Sequence, residues 1–317
     1  MSGFSWPAYP ASDMEFEELM RAIDSALTSE GIKPFQRPMH VGFKFWEAFK
    51  WSGNAFPDKS LADAPGFRGD VLMAKSYRWY EHTYGEKLKS DMAYGFAPAR
   101  IGNAVWRVRA GVTFGTVRLF VDRNLTNRGE TLVGGRGVGP ATFNILCAVE
   151  DLPQGLVDRL PDATLREHME FHLLMHAALQ WRDHLPHTDL LRMAHADYDE
   201  STSAVLGSRF GQARWAAQQA LEKTLKGLLT IGGTEFATKG PKGHSLEHAA
   251  KLLRDNHNIL LNEQALGLAE CSPAVRYGEE ASTEVQALAA NHSVLEVLDE
   301  LRRSAAVSEL LNKSKQA

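Results

Sequence analysis

The last third of the chain, from Ser201 onward, is rich in Ala, Leu, Glu and Gln and has few prolines and one tryptophan. Apolar residues recur in it at intervals of three and four, which is the period of an α-helix packed on one side. Start and stop signals predict four helices with short connections, over residues 202–230, 244–255, 259–269 and 282–303. Such a series folds as a helical bundle.

The first two thirds have a different character, because they hold most of the aromatic residues, prolines and turn signals. We predict a helix over residues 13–27 with Asp13 as its cap, then irregular structure with one or two short elements over residues 31–70. A second, long helix is predicted over residues 164–183, with its apolar face formed by residues that include Leu165, Met169 and Leu173.

Strands are predicted between these two helices. Residues 105–109 alternate apolar and basic side chains, and residues 112–121 are rich in Val, Thr and Phe, so the two segments are expected to pair as a β-hairpin. Residues 143–149 would add a third strand. We therefore expect an α+β domain over residues 1–198 and an all-α, up-and-down helical bundle over residues 199–317.

The order of motifs in the bundle carries a family resemblance. The run from Ala216 to Leu229 is followed by a glycine-containing loop, then by Gly243-His244-Ser245-Leu246, and before the last long helix by Val275-Arg276-Tyr277-Gly278. Over residues 202–305 this resembles the HEPN superfamily of small helical domains. The resemblance implies a bundle that pairs as a homodimer, and a function either as a metal-independent ribonuclease or as a non-catalytic module beside a second domain.

The nuclease branch of that superfamily places a His four to six residues after an Arg, so that the two side chains of two protomers meet over one phosphodiester. Here Arg254 and His257 are separated by only two residues, and Arg276 has no His until His292. The resemblance therefore favours a non-catalytic module. The alternative is a ribonuclease that uses Arg254 and His257, or Arg276 with a histidine of the second protomer, as phosphate binder and general acid/base.

The same stretch has a plain physical interpretation. Leu221, Leu225 and Leu228 form an apolar stripe that predicts core packing. Glu222 and Lys226 have the i, i+4 spacing that stabilises a helix surface. His244 precedes Ser245, and the pair is expected to position the turn into the next helix.

Three histidines recur at i, i+4 and i+8 in the helix of residues 164–183. His168 and His172 have a spacing from which one helix can hold zinc, with further ligands from elsewhere, whereas His176 is too far along the helix to share the same ion. The other interpretation is a polar face beside the apolar one, or a face packed against a neighbouring element. The sequence therefore predicts no cofactor, with zinc as the alternative.

Two stretches combine aromatic and basic side chains. Tyr77, Arg78 and Trp79 form the first, and Arg107 and Arg109, joined by Arg118 if the predicted hairpin forms, make up the second. Such a patch can follow phosphates while its aromatic rings stack on unpaired bases, and Arg276 is a further candidate phosphate contact. The alternative is that the rings belong to the core and the arginines to a solvated outer face.

Charge and cysteine content limit the class of protein. The net charge of −4 gives no global attraction to nucleic acid or anionic membranes, so such binding would need a local patch. Cys147 and Cys271 lack metal-site spacing, and the sequence shows neither an apolar leader nor a membrane-spanning run, which favours the cytoplasm. The glycine-rich residues 134–140 lack the Lys-Ser/Thr ending of a phosphate-binding loop.

The sequence thus predicts a non-catalytic HEPN-domain protein that binds or senses a ligand in an RNA-related or defence setting. It would dimerise through the bundle, bind a ligand, RNA or a nucleotide through residues 1–198, and work with a partner protein. A metal-independent HEPN ribonuclease is the alternative, so the sequence leaves open whether the protein is an enzyme.

Overall fold

The computed structural model describes residues 4–88, 92–113, 115–130, 140–240 and 243–314. The chain divides into two compact units, unit 1 over residues 1–91 and unit 2 over residues 92–317.

Unit 1 is helical and packs around aromatic and aliphatic side chains. Its α-helices are α1 (Asp13–Ser29), α2 (Arg37–Phe49) and α3 (Gly69–Tyr84), with 3₁₀ turns at Pro34–Gln36, Lys59–Asp63 and Gly85–Leu88. Leu19, Phe45 and Tyr80, one from each helix, are fully buried. The hydrophobic effect of this shared core holds the three helices together.

The helix predicted over residues 13–27 is confirmed, but its cap is Ser12 rather than Asp13. The Ser12 hydroxyl accepts a hydrogen bond from the backbone N–H of Glu15 at 3.3 Å. The prediction of mainly irregular structure over residues 31–70 missed α2. Pro38 lies in the first turn of that helix, where a backbone N–H has no helical partner, and so it does not interrupt the helix.

Unit 2 begins with four short strands in two sheets. They are β1 (Ala93–Ile101), β2 (Ala104–Gly111), β3 (Val117–Phe120) and β4 (Ala141–Asn144). β1 pairs with β2 in antiparallel register, with Phe96 opposite Arg109, and β3 pairs with β4 in parallel register.

The predicted pairing of residues 105–109 with residues 112–121 is therefore wrong. The strand at 105–109 exists, but it pairs with the residues before it through the two-residue turn Gly102-Asn103, where Gly102 has a φ of 64°. Gly-Asn between two strands is a hairpin signal, so the sequence contains a local signal for the pairing that the structure shows. The strand predicted over 143–149 ends at Asn144, which caps the 3₁₀ turn Ile145–Ala148.

Helices make up the rest of the described part of unit 2. Their bounds are α4 (Gln154–Val157), α5 (Asp162–Asp183), α6 (Asp189–Leu206), α7 (Phe210–Ile231), α8 (Leu246–His257), α9 (Glu263–Ala269), α10 (Pro273–Arg276), α11 (Glu284–Arg303) and α12 (Ala305–Ser314). The helix predicted over 202–230 is two helices, because Ser208 takes a left-handed conformation with a φ of 56° between α6 and α7. The fold is an α+β region followed by an all-helical region.

The boundary predicted between residues 198 and 199 lies inside α6 rather than between the two units. Tyr198 of α6 is buried and its hydroxyl donates to the Asn291 side chain of α11 at 3.3 Å. One continuous apolar core extends from β1 to α12. The change in composition near residue 200 falls inside this core, well after the last described strand ends at Asn144.

Within the described residues, no helix is long and apolar enough to cross a lipid bilayer.

Candidate functional site

Arg254 and His257 lie together at the C-terminal end of α8. Both line a groove of about 460 Å³ between α8 and α12, which Lys313 and Glu309 also line. Asn258, with a φ of 54°, ends the helix directly after His257 in a left-handed conformation. Arg254 and His257 therefore line the same groove within one protomer.

Both side chains already have partners in the same chain. The His257 Nε2 atom lies 2.8 Å from the Thr234 hydroxyl, so the ring joins α8 to the loop that follows α7. Arg254 lies between two carboxylates, at 3.5 Å from Asp255 and 4.0 Å from Glu263. The described geometry fits a structural role for His257, and the catalytic assignment of this pair stays a prediction.

Glu222 and Lys226 on α7 form a buried ion pair instead of the surface pair that their spacing predicted. Their side chains are 6% and 10% exposed, and the Lys226 Nζ atom donates to a Glu222 oxygen at 2.6 Å. Lys226 also donates to the backbone carbonyl of Gly243. The i, i+4 spacing was correct, but spacing alone does not say which side of a helix is covered by the next element.

The same pair explains the position of His244. The His244 Nδ1 atom lies 3.3 Å from the Glu222 carboxylate, and the Ser245 hydroxyl accepts from the backbone N–H of His248 at 3.1 Å. The expectation that His244 and Ser245 position the turn into α8 agrees with these contacts. Gln219 donates a further hydrogen bond to Glu222 at 3.1 Å.

The histidines of α5 lie on its buried face. His168 and His172 are 4% and 2% exposed, whereas Leu173, which was predicted to be apolar core, is 50% exposed. Their ring centroids are 6.3 Å apart, and those of His172 and His176 are 6.2 Å apart. The face that packs inward thus contains imidazoles among aliphatic side chains.

Burial keeps two of these rings neutral. Desolvation lowers the pKa of His168 to about 4, and desolvation with the neighbouring imidazoles lowers the pKa of His172 to about 3. The His168 Nε2 and His172 Nδ1 atoms have no hydrogen-bond partner, while His176 Nε2 lies 3.0 Å from the Gly111 carbonyl. Neutral imidazole is the form that binds metal, but also the form that pairs with an uncharged ligand.

The described residues contain no group of three or more His, Cys, Asp or Glu side chains placed to hold one metal ion. Within the described residues, His168 and His172 would thus be the two protein ligands of a zinc ion at this face. The zinc site at these two residues stays a prediction.

A cavity of about 550 Å³ opens beside the same face, and we name it the α5 cavity. It lies between the end of β2, the β3–β4 sheet and α5, and is lined by Gly111, Val112, Thr113, Gly115, Thr116, Val117, Leu119, Pro140, Ala141, Thr142, Phe143, His172 and His176. The histidine spacing pointed to two of these residues. The others were missed because their positions depend on the parallel pairing of β3 with β4.

The arginines of the predicted second patch lie in two different sheets. Arg107 and Arg109 share a face of β2, and Arg118 is exposed on β3. Arg107 packs over the Phe96 ring at 3.5 Å and pairs with Glu150 at 3.2 Å, whereas the buried Nε atom of Arg109 has no partner. Nucleic-acid contact by these three residues stays a prediction.

In unit 1, the predicted first patch lies on α3. The Tyr77 hydroxyl donates to the Ala55 carbonyl at 3.0 Å, Arg78 pairs with Asp63 at 2.6 Å, and the Trp79 indole donates to Glu17 at 2.6 Å. Each of the three side chains thus has a partner within unit 1, and their role in nucleic-acid binding stays a prediction. The side chain of Arg276 and residues 134–139 lie outside the described part of the chain.

Comparison with known proteins identifies the helical region. Residues 187–304 match the family model of the HEPN domain, which confirms the resemblance predicted over residues 202–305, and the residues before 187 match no family model. The match begins just before α6 and so includes this helix. No curated protein and no solved structure matches the chain significantly.

Proposed function

We propose that this protein is a non-catalytic binding or sensing protein with a HEPN domain, acting in an RNA-related or defence setting. The region of unit 2 that precedes the HEPN domain would bind the ligand, and the HEPN helices would pass the bound state on to RNA or to a partner protein. The HEPN match supports the setting.

The observation that carries the non-catalytic assignment is the hydrogen bond between His257 and Thr234. A general acid or base must present a ring nitrogen to the reacting group, within about 3 Å. The Nε2 atom of His257 is engaged at 2.8 Å within the chain, in a half-buried position, so only its Nδ1 atom is left to face a reacting group. Arg254, between Asp255 and Glu263, has its charge balanced before any phosphate arrives.

Homodimerisation through the bundle is part of the proposal. Leu260, Leu268 and Val285 are large apolar side chains of the HEPN domain that are 69%, 45% and 66% exposed. Association of two bundles would cover such surface, which a monomer leaves in water.

A metal-independent ribonuclease is the second candidate, because one groove contains Arg254, His257 and Lys313. In a dimer, these side chains would approach a phosphodiester from two protomers. The same experiment decides between the two functions.

We expect total RNA to remain intact when it is incubated with the full-length protein in EDTA, because the His257 ring and the Arg254 guanidinium are held by neighbours. Gel electrophoresis should show the same RNA profile for the parent and for an Arg254→Ala, His257→Ala variant. A metal-independent ribonuclease in a parallel tube shows that the RNA can be cleaved under these conditions.

The opposite result has a clear signature. Cleavage by the parent that is lost in the Arg254→Ala, His257→Ala variant would establish the ribonuclease. A matched variant, His248→Ala with Arg303→Ala, removes the same two side-chain types from the same domain outside the groove. It must keep the cleavage if the groove is the active site.

A further inference from the structure

The size of the α5 cavity suits a small molecule. Its volume of about 550 Å³ lies within the range of roughly 300–1,000 Å³ that is typical of ligand sites in proteins. Such sites are lined mainly by apolar side chains, with a few polar groups that fix the orientation of the ligand. Val117, Leu119 and Phe143 supply the apolar walls here, and His172 and His176 stand at the α5 side.

The described part of the lining favours an uncharged ligand. None of the described residues that line the cavity is Asp, Glu, Lys or Arg. A charged group placed among these side chains would lose its hydration without gaining a counter-ion, which is strongly unfavourable. The polar groups available are the imidazoles and the hydroxyls of Thr113, Thr116 and Thr142.

Among the described residues that line the cavity, His172 has a buried polar atom that is left unsatisfied. Its side chain is 2% exposed, and its Nδ1 atom has no hydrogen-bond partner in the described part of the chain. A buried polar atom without a partner costs free energy, and native structures keep few of them. His176, by contrast, is held by the Gly111 carbonyl and by an edge contact with the Tyr94 ring.

We propose that the α5 cavity binds an uncharged, mostly apolar small molecule that has one hydrogen-bonding group, and that His172 is the residue that pairs with this group. The inference rests on the proposed function, because it gives the chemical class of the ligand. The depressed pKa of His172 agrees with it, since the imidazole stays neutral at physiological pH and can accept or donate one hydrogen bond.

Two related dyes test the proposal on the full-length protein. N-phenyl-1-naphthylamine is uncharged and has one N–H group, and 1-anilinonaphthalene-8-sulfonate adds an anionic sulfonate to the same rings. We expect the uncharged dye to bind at one site with a fluorescence increase, and the anionic dye to bind at least about tenfold more weakly because the described lining of the cavity contains no Lys or Arg. Equal affinity for the two dyes, or no binding of the uncharged dye, would overturn the proposal.

Three variants locate the dye. Ala141→Trp and Val117→Phe each fill part of the cavity from a different strand, and each should weaken binding of the uncharged dye at least about tenfold. His172→Phe replaces the imidazole by an aromatic ring without nitrogens, and should weaken binding about fivefold. Met193→Ser removes an exposed apolar side chain of α6 and should leave binding unchanged.

Far-ultraviolet circular dichroism confirms that each variant is folded before the dye is added. Dye binding that is unchanged in both folded filling variants would show that the dye sits elsewhere, and the inference would be wrong. The dye experiment and the RNA experiment are independent. Cleaved RNA contradicts the non-catalytic function alone, and failed dye binding contradicts the ligand class alone.

Discussion

Replacing Glu222 with alanine is expected to lower the free energy of unfolding of unit 2 by about 3–5 kcal/mol, which is the usual cost of leaving one partner of a buried ion pair uncompensated. In the parent, the Lys226 Nζ atom has the Glu222 carboxylate at 2.6 Å and the Gly243 carbonyl as acceptors. The variant keeps the ammonium group in place and removes its counter-charge. Urea denaturation followed by circular dichroism measures the change.

A matched pair in the same unit provides the control. Glu309 and Lys313 have the same i, i+4 spacing on α12, but their side chains are 68% and 73% exposed. Glu309→Ala should therefore leave the free energy of unfolding almost unchanged. If Glu222→Ala and Glu309→Ala cost the same, the Glu222–Lys226 pair behaves as a surface pair and the described burial has no energetic consequence.

A double variant separates loss of charge pairing from loss of packing. Glu222→Leu with Lys226→Met replaces both buried charges by apolar side chains of similar size, and such replacements are often neutral or stabilising. We expect it to recover most of the stability lost in Glu222→Ala. It should also make the segment before α8 more mobile, because Gly243 and His244 lose the contacts that hold them to α7.

The helices of the second half could be predicted because they depend on local information. The apolar stripe of Leu221, Leu225 and Leu228 is buried as its period of three and four requires. The burial of Glu222 and Lys226 could not be predicted, because it depends on the loop through Gly243 returning to cover α7. A spacing rule describes one helix, and a buried charge is decided by its neighbours.

The candidate site shows the same division. The spacing of His168 and His172 places both on one face of α5, but the burial of that face depends on what packs against it. The α5 cavity needs β3 to pair in parallel with β4 across residues 121–140 of intervening chain, and no local pattern encodes that pairing. Gly102-Asn103, in contrast, is a local signal for the β1–β2 hairpin, so the pairing of these two strands could be predicted from the sequence.

Lowering the pH from 7 to 5 is expected to destabilise unit 2, because the buried His168 and His172 and the partly buried His195 are neutral in the folded state. Burial lowers the pKa of His168 and of His195 to about 4 and that of His172 to about 3, whereas an unfolded histidine has a pKa of about 6.5. Below pH 6.5 these histidines bind protons in the unfolded chain but not in the folded chain, so the free energy of unfolding falls as the pH falls. Above pH 6.5 these histidines are neutral in both the folded and the unfolded chain, so this loss of stability disappears.

The size of the effect follows from the width of that window. Each pH unit below 6.5 costs about 1.4 kcal/mol per fully depressed histidine, so the loss at pH 5 is about 2 kcal/mol for each of the three. Urea denaturation at pH 7, 6 and 5 measures it. His172→Phe should reduce the loss between pH 7 and 5 by about 2 kcal/mol, whereas His82→Gln, at an exposed position of unit 1, should leave it unchanged.

The comparison between variants is decisive because carboxylates also titrate as the pH falls. Their contribution is common to the parent and to His172→Phe, so it cancels in the difference between the two pH dependences. A parent and a His172→Phe variant with parallel stability curves from pH 7 to 5 would mean that His172 is already protonated, or open to water, in the folded protein. In that case the α5 face would not keep its imidazoles neutral, and the α5 cavity would have no reason to prefer an uncharged ligand.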